Sequence, residues 1–357
     1  MKLENSIARP PAAAGTALVV GATGSAGSAI VAELKRVGSF RVVELARKSR
    51  PGDADSVSAD LLDPAGLKQA LRGLEDVTQL IFTARLTAPD GGEDRDLNAL
   101  ALQNLLEALS GSRALRRIVL IHGTKWYGSH LGRYLVPAVE TDTIPAPHFY
   151  HLQQNLTEAF AARHGVEWSA LRPHTVFGFS PQPRHNLLLL LAQYAAVCVH
   201  EKMPLHFPGS AERFVLPTVA TNADMLAKAT VWAAGAPAAR NEAFNINNGD
   251  QLFWRPLWPR LCEFFGAPTG GVERVRLTQA MPAKAALWEK IRAAHGLVDT
   301  PWPTEGDWTY ADGIFGSARV DIVSTAKIVK AGFSMSASTD DTILGIMRRF
   351  RTERIIP

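Results

Sequence analysis

The amino-acid sequence predicts an α/β protein with a Rossmann-type, doubly wound parallel sheet and a smaller, mainly helical C-terminal lobe. In the first half of the chain, short and almost wholly apolar strand-like runs alternate with helical patterns, as in a parallel sheet covered on both faces. A glycine-rich turn joins the first run to the first helix. After Pro181 the alternation stops, and tryptophans cluster from Trp254 onward, which indicates a second lobe.

The predicted elements follow one another in the order of such a sheet. Strands are expected at Ala17–Val20, Arg41–Leu45, Thr78–Thr83, Arg117–His122, Glu167–Leu171 and Ala243–Ile246. Helices are expected at Ala26–Val37, Pro64–Leu74, Leu97–Leu109, Phe149–His164, Asn186–His200 and Asn222–Ala234. The last helix and strand follow the break after Pro181, so we expect residues 222–250 to pack back on the sheet.

Composition excludes several classes of protein. The 357 residues are 46% apolar, which is ample for a large core, and the net charge of +4 comes from scattered basic residues that favour no nucleic-acid partner. Cys198 and Cys262 lie far apart without metal spacing, as expected of thiols in a reducing compartment. The longest apolar run, Leu187–Val199, is shorter than the roughly 20 residues that span a bilayer and is predicted to be a buried helix. We therefore expect a cytoplasmic protein without a membrane partner.

The glycine-rich turn is the first candidate functional segment. Gly21, Gly24 and Gly27 directly follow a strand and open a helix, so they permit a tight turn, an approaching pyrophosphate and close helix–strand packing. Small residues at this spacing also serve helix packing, but the strand–turn–helix context favours a dinucleotide. The predicted contacts in this turn are Gly21, Thr23, Gly24, Ser25, Ala26 and Gly27.

The end of the second strand indicates which dinucleotide is bound. NAD sites place an acid there for the ribose 2′-hydroxyl, whereas this strand ends in Arg47 and Lys48, whose charges suit a 2′-phosphate. Glu44 competes but lies inside the strand, and a plain solvated loop is the alternative reading of the basic pair. The sequence therefore predicts NADPH/NADP+ as cofactor.

Further cofactor contacts are expected beyond this strand. Asp60 and Leu61 are placed to flank the adenine, although Asp60 is equally suited to cap the next helix. Thr83 ends the third strand, at the edge of the sheet where such ligands bind. Val176 is also expected at the cofactor, and Ser180 either touches a phosphate or caps a turn.

These expectations divide the chain into three parts. A flexible tail is expected at 1–15, an NADP-binding domain at 16–184, and a substrate-binding lobe at 185–357.

The acid–base pair usual in short-chain dehydrogenases, Tyr followed four positions later by Lys, is missing. Tyr127, Tyr150 and Tyr194 are followed at that spacing by Leu131, Gln154 and Cys198. A phenol needs a nearby cation to stabilise an oxyanion near neutral pH, and Lys125, just after the fourth strand, is the predicted supplier for Tyr150.

The segments around these residues resemble the progesterone 5β-reductase/iridoid synthase-like (PRISE) family of atypical extended short-chain dehydrogenases. That family shows TGxKHYxGPF, NFYYxxED and RPxxIFGFSP segments. The corresponding segments here are His122–Tyr127, His148–Gln154 and Arg172–Pro181, with further similarity at Ala46–Pro51, Tyr194–Ala196, Trp232–Ala234 and Asn241–Asp250. The resemblance covers about residues 17–297.

The resemblance implies 1,4-reduction of an enone, with hydride from NADPH and an enolate stabilised by Tyr150 and Lys125. Three departures put the substrate in doubt. Ser129–Leu131 replaces Gly-Pro-Phe, residues after Tyr150 become His151, Gln153 and Gln154, and His174 with Thr175 replaces the Gly-Asn of plant members. All three are expected near the pocket.

Several alternatives stay open at this stage. The protein is an ene-reductase or carbonyl reductase of an apolar small molecule, a secondary-alcohol dehydrogenase, or a non-catalytic NADP(H)-binding sensor. His122, His148 and His151 fit no common zinc spacing, so no metal is expected, and one of them is a candidate for tuning the pocket or relaying a proton. Trp126, Phe149, Trp302 and Trp308 either line an apolar cavity or pack in the core. A homodimer is possible, since helices flanking such sheets often pair.

Overall fold

The computed structural model describes residues 15–48, 53–88, 94–132, 134–144 and 146–357. The predicted tail lies almost wholly outside these residues, as do Ser49, Arg50 and Pro51 of the basic segment after the second strand.

The first half of the chain alternates strands and helices. Its elements are β1 (Thr16–Val20), α1 (Ser25–Val37), β2 (Arg41–Ala46), β3 (Ser56–Ser58), α2 (Pro64–Ala70), β4 (Val77–Phe82), α3 (Arg95–Leu109), β5 (Arg117–Ile121), α4 (Phe149–His164) and β6 (Glu167–Pro173). All five residues of β1 are buried, as expected of a strand covered on both faces.

The second half begins with short strands around a buried helix. Its elements are β7 (Val176–Phe177), α5 (Leu187–His200), β8 (Leu205–Phe207), α6 (Ala211–Val215), β9 (Thr221–Asn222), α7 (Ala223–Gly235), β10 (Glu242–Ile246), α8 (Trp254–Phe265), β11 (Thr269–Val272), α9 (Leu277–Ala280), α10 (Ala285–His295), α11 (Glu305–Phe315), α12 (Ala326–Lys330) and α13 (Thr339–Thr352).

The central sheet has the strand order β10-β6-β5-β4-β1-β2-β3, and the pairs that it contains are parallel. The order reverses after β3, where the chain crosses back beside β1 as β4, and this is the switch point at which ligands bind in doubly wound sheets. The predicted fold class is therefore confirmed. β10 joins the edge of the sheet beside β6, and α7 packs against α1.

The second lobe has its own apolar core. The buried residues of α5, from Leu187 to Cys198, pack against four fully buried tryptophans: Trp254, Trp258, Trp288 and Trp308. Both cysteines are free thiols buried in this core. Within the described residues, we find no helix with the length and apolar character needed to cross a membrane.

Most predicted elements differ from the observed ones by one or two residues at their ends. The largest difference is α2, which ends at Ala70 rather than Leu74, because Leu71 and Gly73 already form turns, and Gly73 has a positive φ of 85°. The short strands β7, β8, β9 and β11 were not predicted, since two to four residues are too few to show a period.

Candidate active site

A cleft of about 1460 Å³ opens at the carboxyl ends of β1, β2, β4 and β5 and continues to the second lobe. It brings together every residue that the sequence predicted as catalytic or cofactor-binding. These are Gly21, Thr23, Gly24, Ser25, Ala26, Gly27, Arg47, Lys48, Asp60, Leu61, Thr83, Lys125, Tyr150, Val176 and Ser180.

The glycine turn forms one end of the cleft, and each of its three glycines suits its position for a different physical reason. Gly21 has a φ of 86°, and a Cβ there would lie 2.6 Å from Thr83 Oγ1. A Cβ on Gly27 would lie within 3.0 Å of the Gly21 backbone, so α1 packs directly on the turn. At Gly24 the nearest atom to an added Cβ is 3.7 Å away, so protein packing leaves this position open.

The start of α1 fits an anion. Its N-cap is Gly24, and no side chain caps the first turn of this 13-residue helix. The first amides of the helix and the positive end of its dipole therefore face the open space beside Gly24. A dinucleotide pyrophosphate fits these donors.

The end of β2 presents positive charge to the cleft. Arg47 and Lys48 are exposed and line it, whereas the Glu44 carboxylate is buried and bonded to Lys35 Nζ at 2.8 Å. Glu44 is not among the described lining residues, so the feature that competed with a 2′-phosphate lies outside the cleft.

The remaining predicted cofactor positions are held by local hydrogen bonds. Asp60 Oδ1 accepts from the Leu62 N–H at 2.9 Å, and the N-cap of α2 is Asp63, so the capping role considered for Asp60 is wrong. The Thr83 hydroxyl lies 2.9 Å from Val20 O and 3.1 Å from Gly21 O, which ties β4 to the glycine turn. Ser180 Oγ accepts from the Gln182 N–H at 3.2 Å and so braces a turn while lining the cleft.

Tyr150 and Lys125 meet the cleft from two different segments. Tyr150 lies in the first turn of α4, and its hydroxyl lies 3.4 Å from the Cβ position of Gly123. Lys125 lies two residues farther along, in a single turn of 3-10 helix at Thr124–Tyr127. Because Gly123 has no side chain, the Tyr150 phenol lies against the turn that carries Lys125.

An aromatic stack fixes the Tyr150 ring. The imidazole of His122 stacks on it with ring centroids 4.8 Å apart. Trp126 stacks on His151, the residue after Tyr150, with ring centroids 4.0 Å apart. Burial and the nearby Arg172 guanidinium lower the pKa of His122 well below its ordinary value. A neutral imidazole thus supports the phenol at neutral pH.

Arg172 holds the aromatic residues of this stack in place. Its guanidinium carbon lies 3.6 Å from the Trp126 ring centroid, and its nitrogens donate to Tyr127 Oη, Glu140 O and Gln154 Oε1 at 2.9 to 3.2 Å. Tyr127 in turn donates to Asn245 Oδ1 at 2.6 Å, and burial raises its pKa to about 12. Trp126 and Tyr127 are therefore structural supports of the lysine turn.

Sequence reasoning missed a second group of charges in the cleft. Asp321 pairs with Arg213 at 2.6 Å and with Arg319 at 2.7 Å, and all three line the cleft together with Tyr310. Burial raises the pKa of Tyr310 to about 12. No sequence signal marks these residues, because α6, α11 and the loop after α11 meet only in the folded lobe.

The open question about the aromatic residues is decided by burial. Phe149 and Trp308 are fully buried, and Trp126, Phe149, Trp302 and Trp308 are absent from the described residues that line the cleft. They pack in the core, and Trp254 is a tryptophan that does reach the cleft. No group of three or more His, Cys, Asp or Glu residues among those described is arranged to hold a metal ion.

Comparison with known proteins decides the family. The model of the PRISE-like Rossmann-fold domain matches residues 54–356. This chain belongs to the PRISE family. An (S)-8-oxocitronellyl enol synthase of Camptotheca acuminata is 32% identical over 96% of this chain and 93% of its own length. A 3-oxo-Delta(4,5)-steroid 5-beta-reductase of Arabidopsis thaliana is 30% identical over the same shares. The predicted family and the assignment to the oxidoreductases are confirmed.

Solved structures similar to this PRISE chain share its fold. A UDP-glucose 4-epimerase of Thermotoga maritima matches with a TM-score of 0.67 and 16% identity, over 94% of this chain and 99% of its own. An epimerase of Methanothermobacter thermautotrophicus matches with a TM-score of 0.68 and 18% identity, over 95% of this chain and 93% of its own.

The departures from the PRISE motifs fall in two places. Ser129, His130, His174 and Thr175 line the cleft, as expected. His151, Gln153 and Gln154 are not among the described lining residues. Gln153 donates to Asn98 O of α3 at 3.0 Å, and Gln154 accepts from Arg172. These three residues therefore do not line the cleft, although His151 stacks on Trp126, which directly follows Lys125.

Proposed function

We propose that this chain is an NADPH-dependent reductase that adds hydride to the β-carbon of an activated enone. The observation that carries the proposal is the approach of Tyr150 Oη to Gly123, beside the turn of Lys125, in the cleft that also contains the glycine turn. In this proposal residues 16–184 bind the dinucleotide, and residues 185–357 hold a small apolar enone.

The choice of NADPH rests on charge. The amides at the start of α1 suit the pyrophosphate, and Arg47 and Lys48 suit a 2′-phosphate, while Glu44 is paired elsewhere. The choice of an enone is supported by the steroid reductase relative, whose name describes reduction at carbon 5 of a 3-oxo-Δ4,5 system, which is the β-carbon of an enone.

The reaction would proceed with these side chains in fixed roles. A bound reduced nicotinamide supplies the hydride. The Tyr150 hydroxyl donates a hydrogen bond to the carbonyl oxygen of the substrate, and the Lys125 ammonium favours the negative charge that develops there. The α-carbon of the enolate then takes a proton from solvent, so that enone, NADPH and one proton give saturated ketone and NADP+.

The test is an NADPH-oxidation screen across cyclic enones, open-chain enals and simple ketones, with product analysis. We expect turnover of enones with the carbonyl retained. A product with an intact C=C bond and a new hydroxyl would instead identify a carbonyl reductase. Tight NADPH binding without turnover of any carbonyl compound would identify a sensor.

The same assay tests the cofactor. The Arg47→Ala variant is expected to raise the KM for NADPH roughly 10- to 100-fold, because a charge-assisted bond to the 2′-phosphate is lost, and to leave the KM for NADH unchanged. An equal rise in the KM for NADPH and NADH would show that Arg47 does not bind the 2′-phosphate.

A further inference from the structure

Two guanidinium groups in the wall of the cleft share one carboxylate. Arg213 donates through Nη2 to Asp321 Oδ2 at 2.6 Å, and Arg319 donates through Nε to Asp321 Oδ1 at 2.7 Å. Because a single carboxylate balances a single cation, this group carries one excess positive charge. An anionic group on a ligand would neutralise this charge.

The two arginines have different surroundings. The Arg213 side chain is 2% exposed, and its Nη2 also donates to Ser317 Oγ and Arg319 O at 2.8 and 2.9 Å. It thereby holds the loop 317–321 against α6. Arg213 is a positioning residue, since it fixes both Asp321 and the backbone of Arg319.

Arg319 is built to present its charge. Its side chain is 25% exposed and lines the cleft, and its Nε bond to Asp321 fixes the plane of the guanidinium. Its Nη1 and Nη2 groups make no hydrogen bond with any residue that the structure describes. These two donors form the fork that binds a carboxylate in bidentate fashion.

Arg319 and the proposed reaction centre at Tyr150 line the same cleft. Ile322 and Val323, which directly follow Asp321, pack in one cluster with Tyr150 and Trp126. His174 also lines the cleft, and the charges of Asp321, Arg213 and Arg319 act on its imidazole, while Pro173 O, one residue earlier, lies 3.6 Å from the Gly123 Cβ position. A substrate that spans the cleft can therefore contact Arg319 with one part and the Tyr150 hydroxyl with another.

None of the other charged lining residues assigned to the dinucleotide lies in the loop of Arg319, so Arg319 is available to the substrate. The cationic lining residues among those described are Arg47, Lys48, Arg85, Lys125, Arg184, Arg213 and Arg319, and the carboxylates are Asp60 and Asp321. The dinucleotide phosphates are assigned to the start of α1 and the end of β2, on the sheet side, whereas Arg319 belongs to the loop after α11.

We propose that Arg319 binds a carboxylate on the substrate, so that the preferred substrates are enones that carry an acidic side chain. This inference rests on the proposed enone reduction, and it changes the expected substrate from a wholly apolar enone to one that carries an anionic group. Asp321 and Arg213 position the guanidinium, and the Nη fork makes the contact. The contact is remote from the reacting carbons, so it contributes to binding in the ground state and transition state alike.

The experiment compares a cyclic enone bearing a carboxyalkyl side chain with its methyl ester. In the wild-type protein, the acid is expected to have the lower KM. Arg319→Gln should raise the KM for the acid roughly 10- to 100-fold, with kcat within about twofold, and leave the ester unchanged. Arg319→Lys, which keeps the charge but loses the fork, should recover part of the loss.

Arg260→Gln is the control, since this guanidinium is also held by ion pairs, with Asp340 and Asp341, but does not line the cleft. It should leave both substrates unchanged. Equal loss for acid and ester in Arg319→Gln, or a raised KM for NADPH, would overturn the carboxylate site while the enone activity stands.

A binding measurement separates this inference from the proposed function. Calorimetric titration of the saturated keto acid into the NADP+-loaded protein should show the same 10- to 100-fold loss of affinity in Arg319→Gln. If no enone is reduced but this loss is found, the proposed reaction fails and the carboxylate site stands. If the keto acid and its ester bind the wild-type protein equally, the site is refuted.

Discussion

The two ends of the cleft are built in different ways. At the cofactor end, consecutive residues of one turn supply backbone amides and open space, and Gly24 and Gly27 act through the side chains that they lack. At the substrate end, side chains from distant segments converge: Tyr150 from α4, Lys125 from the turn after β5, and Arg319 from the loop after α11.

This difference determines what each end tolerates. A backbone cradle depends on close approach of main chains, so a single methyl group disturbs it. The substrate end depends on charge balance and hydrogen bonding among buried side chains, so changes of volume matter less than changes of charge. Five variants test this comparison, from the largest expected effect to the smallest.

Asp321→Asn tests the charge balance of the substrate end. It removes the carboxylate between Arg213 and Arg319, and the side chains of Arg213 and Asp321 are only 2% and 6% exposed. Leaving Arg213 buried without its counter-ion should lower the free energy of unfolding by about 3–5 kcal/mol. Urea denaturation at pH 7 measures this. Asp299→Asn, at an exposed pair with Arg292, is the control and should change nothing measurable; equal stability of the two variants would contradict the charge-balance argument.

Tyr150→Phe tests the chemistry at the same end. The loss of one oriented donor to the developing enolate should lower kcat on a reducible enone roughly 100- to 1000-fold. The matched control is Tyr194→Phe, whose hydroxyl donates to His206 O at 3.1 Å outside the cleft, and kcat should remain within about twofold. Retained turnover in Tyr150→Phe would remove this residue from the mechanism.

Gly27→Ala and Gly24→Ala separate packing from ligand space at the cofactor end. The added Cβ at position 27 meets the Gly21 backbone, which should cost about 1–3 kcal/mol of stability. At position 24 the same methyl meets no protein atom closer than 3.7 Å, so stability should be kept while NADPH affinity falls. Thermal unfolding and NADPH titration measure the two effects. Undiminished NADPH affinity in Gly24→Ala would show that the cradle does not hold the cofactor.

His174→Gln tests the smallest effect, the pH dependence of the substrate end. Burial lowers the pKa of His174 to about 4, with Arg213 and Arg319 acting in the same direction and Asp321 opposing them. Below pH 6.5 the unfolded chain takes up a proton that the folded protein refuses, so stability falls as pH drops from 6.5 toward 4, by about 1.4 kcal/mol per pH unit. Denaturation of both proteins at pH 7 and pH 5 should show a smaller loss of stability in the variant, because the contribution of His174 is absent. Some loss remains, because the pKa of His122 is also lowered. Parallel losses would show that His174 does not carry this linkage.

The predictability of each end follows from its construction. Gly21 to Lys48 could be interpreted from sequence because strand, turn, helix and strand are contiguous, and the local pattern is itself the site. Tyr150 and Lys125 were paired by a chemical requirement and by resemblance to the PRISE family. Their approach through Gly123 is a tertiary contact that no spacing reveals.

The sequence does not decide a polar side chain's partner where several are within reach. For Asp60 it allows a helix cap, but Asp63 occupies that position. For His151, Gln153 and Gln154 it does not show which partners they find, and in the structure they contact Trp126, Asn98 and Arg172 without lining the cleft. Hydrophobic periodicity predicts that a helix exists, while the packing of neighbouring helices decides which polar residues face a cavity.

Apolar periodicity and turn chemistry act over a few consecutive residues, so the sheet, its glycine turn and the basic end of β2 follow from the sequence. The arrangement of the substrate end depends on how the whole chain folds. There Asp321 is shared between Arg213, 108 positions away, and Arg319, two positions away. An excess charge of this kind depends on desolvation and on the number of partners within hydrogen-bond distance, and both are properties of the folded chain.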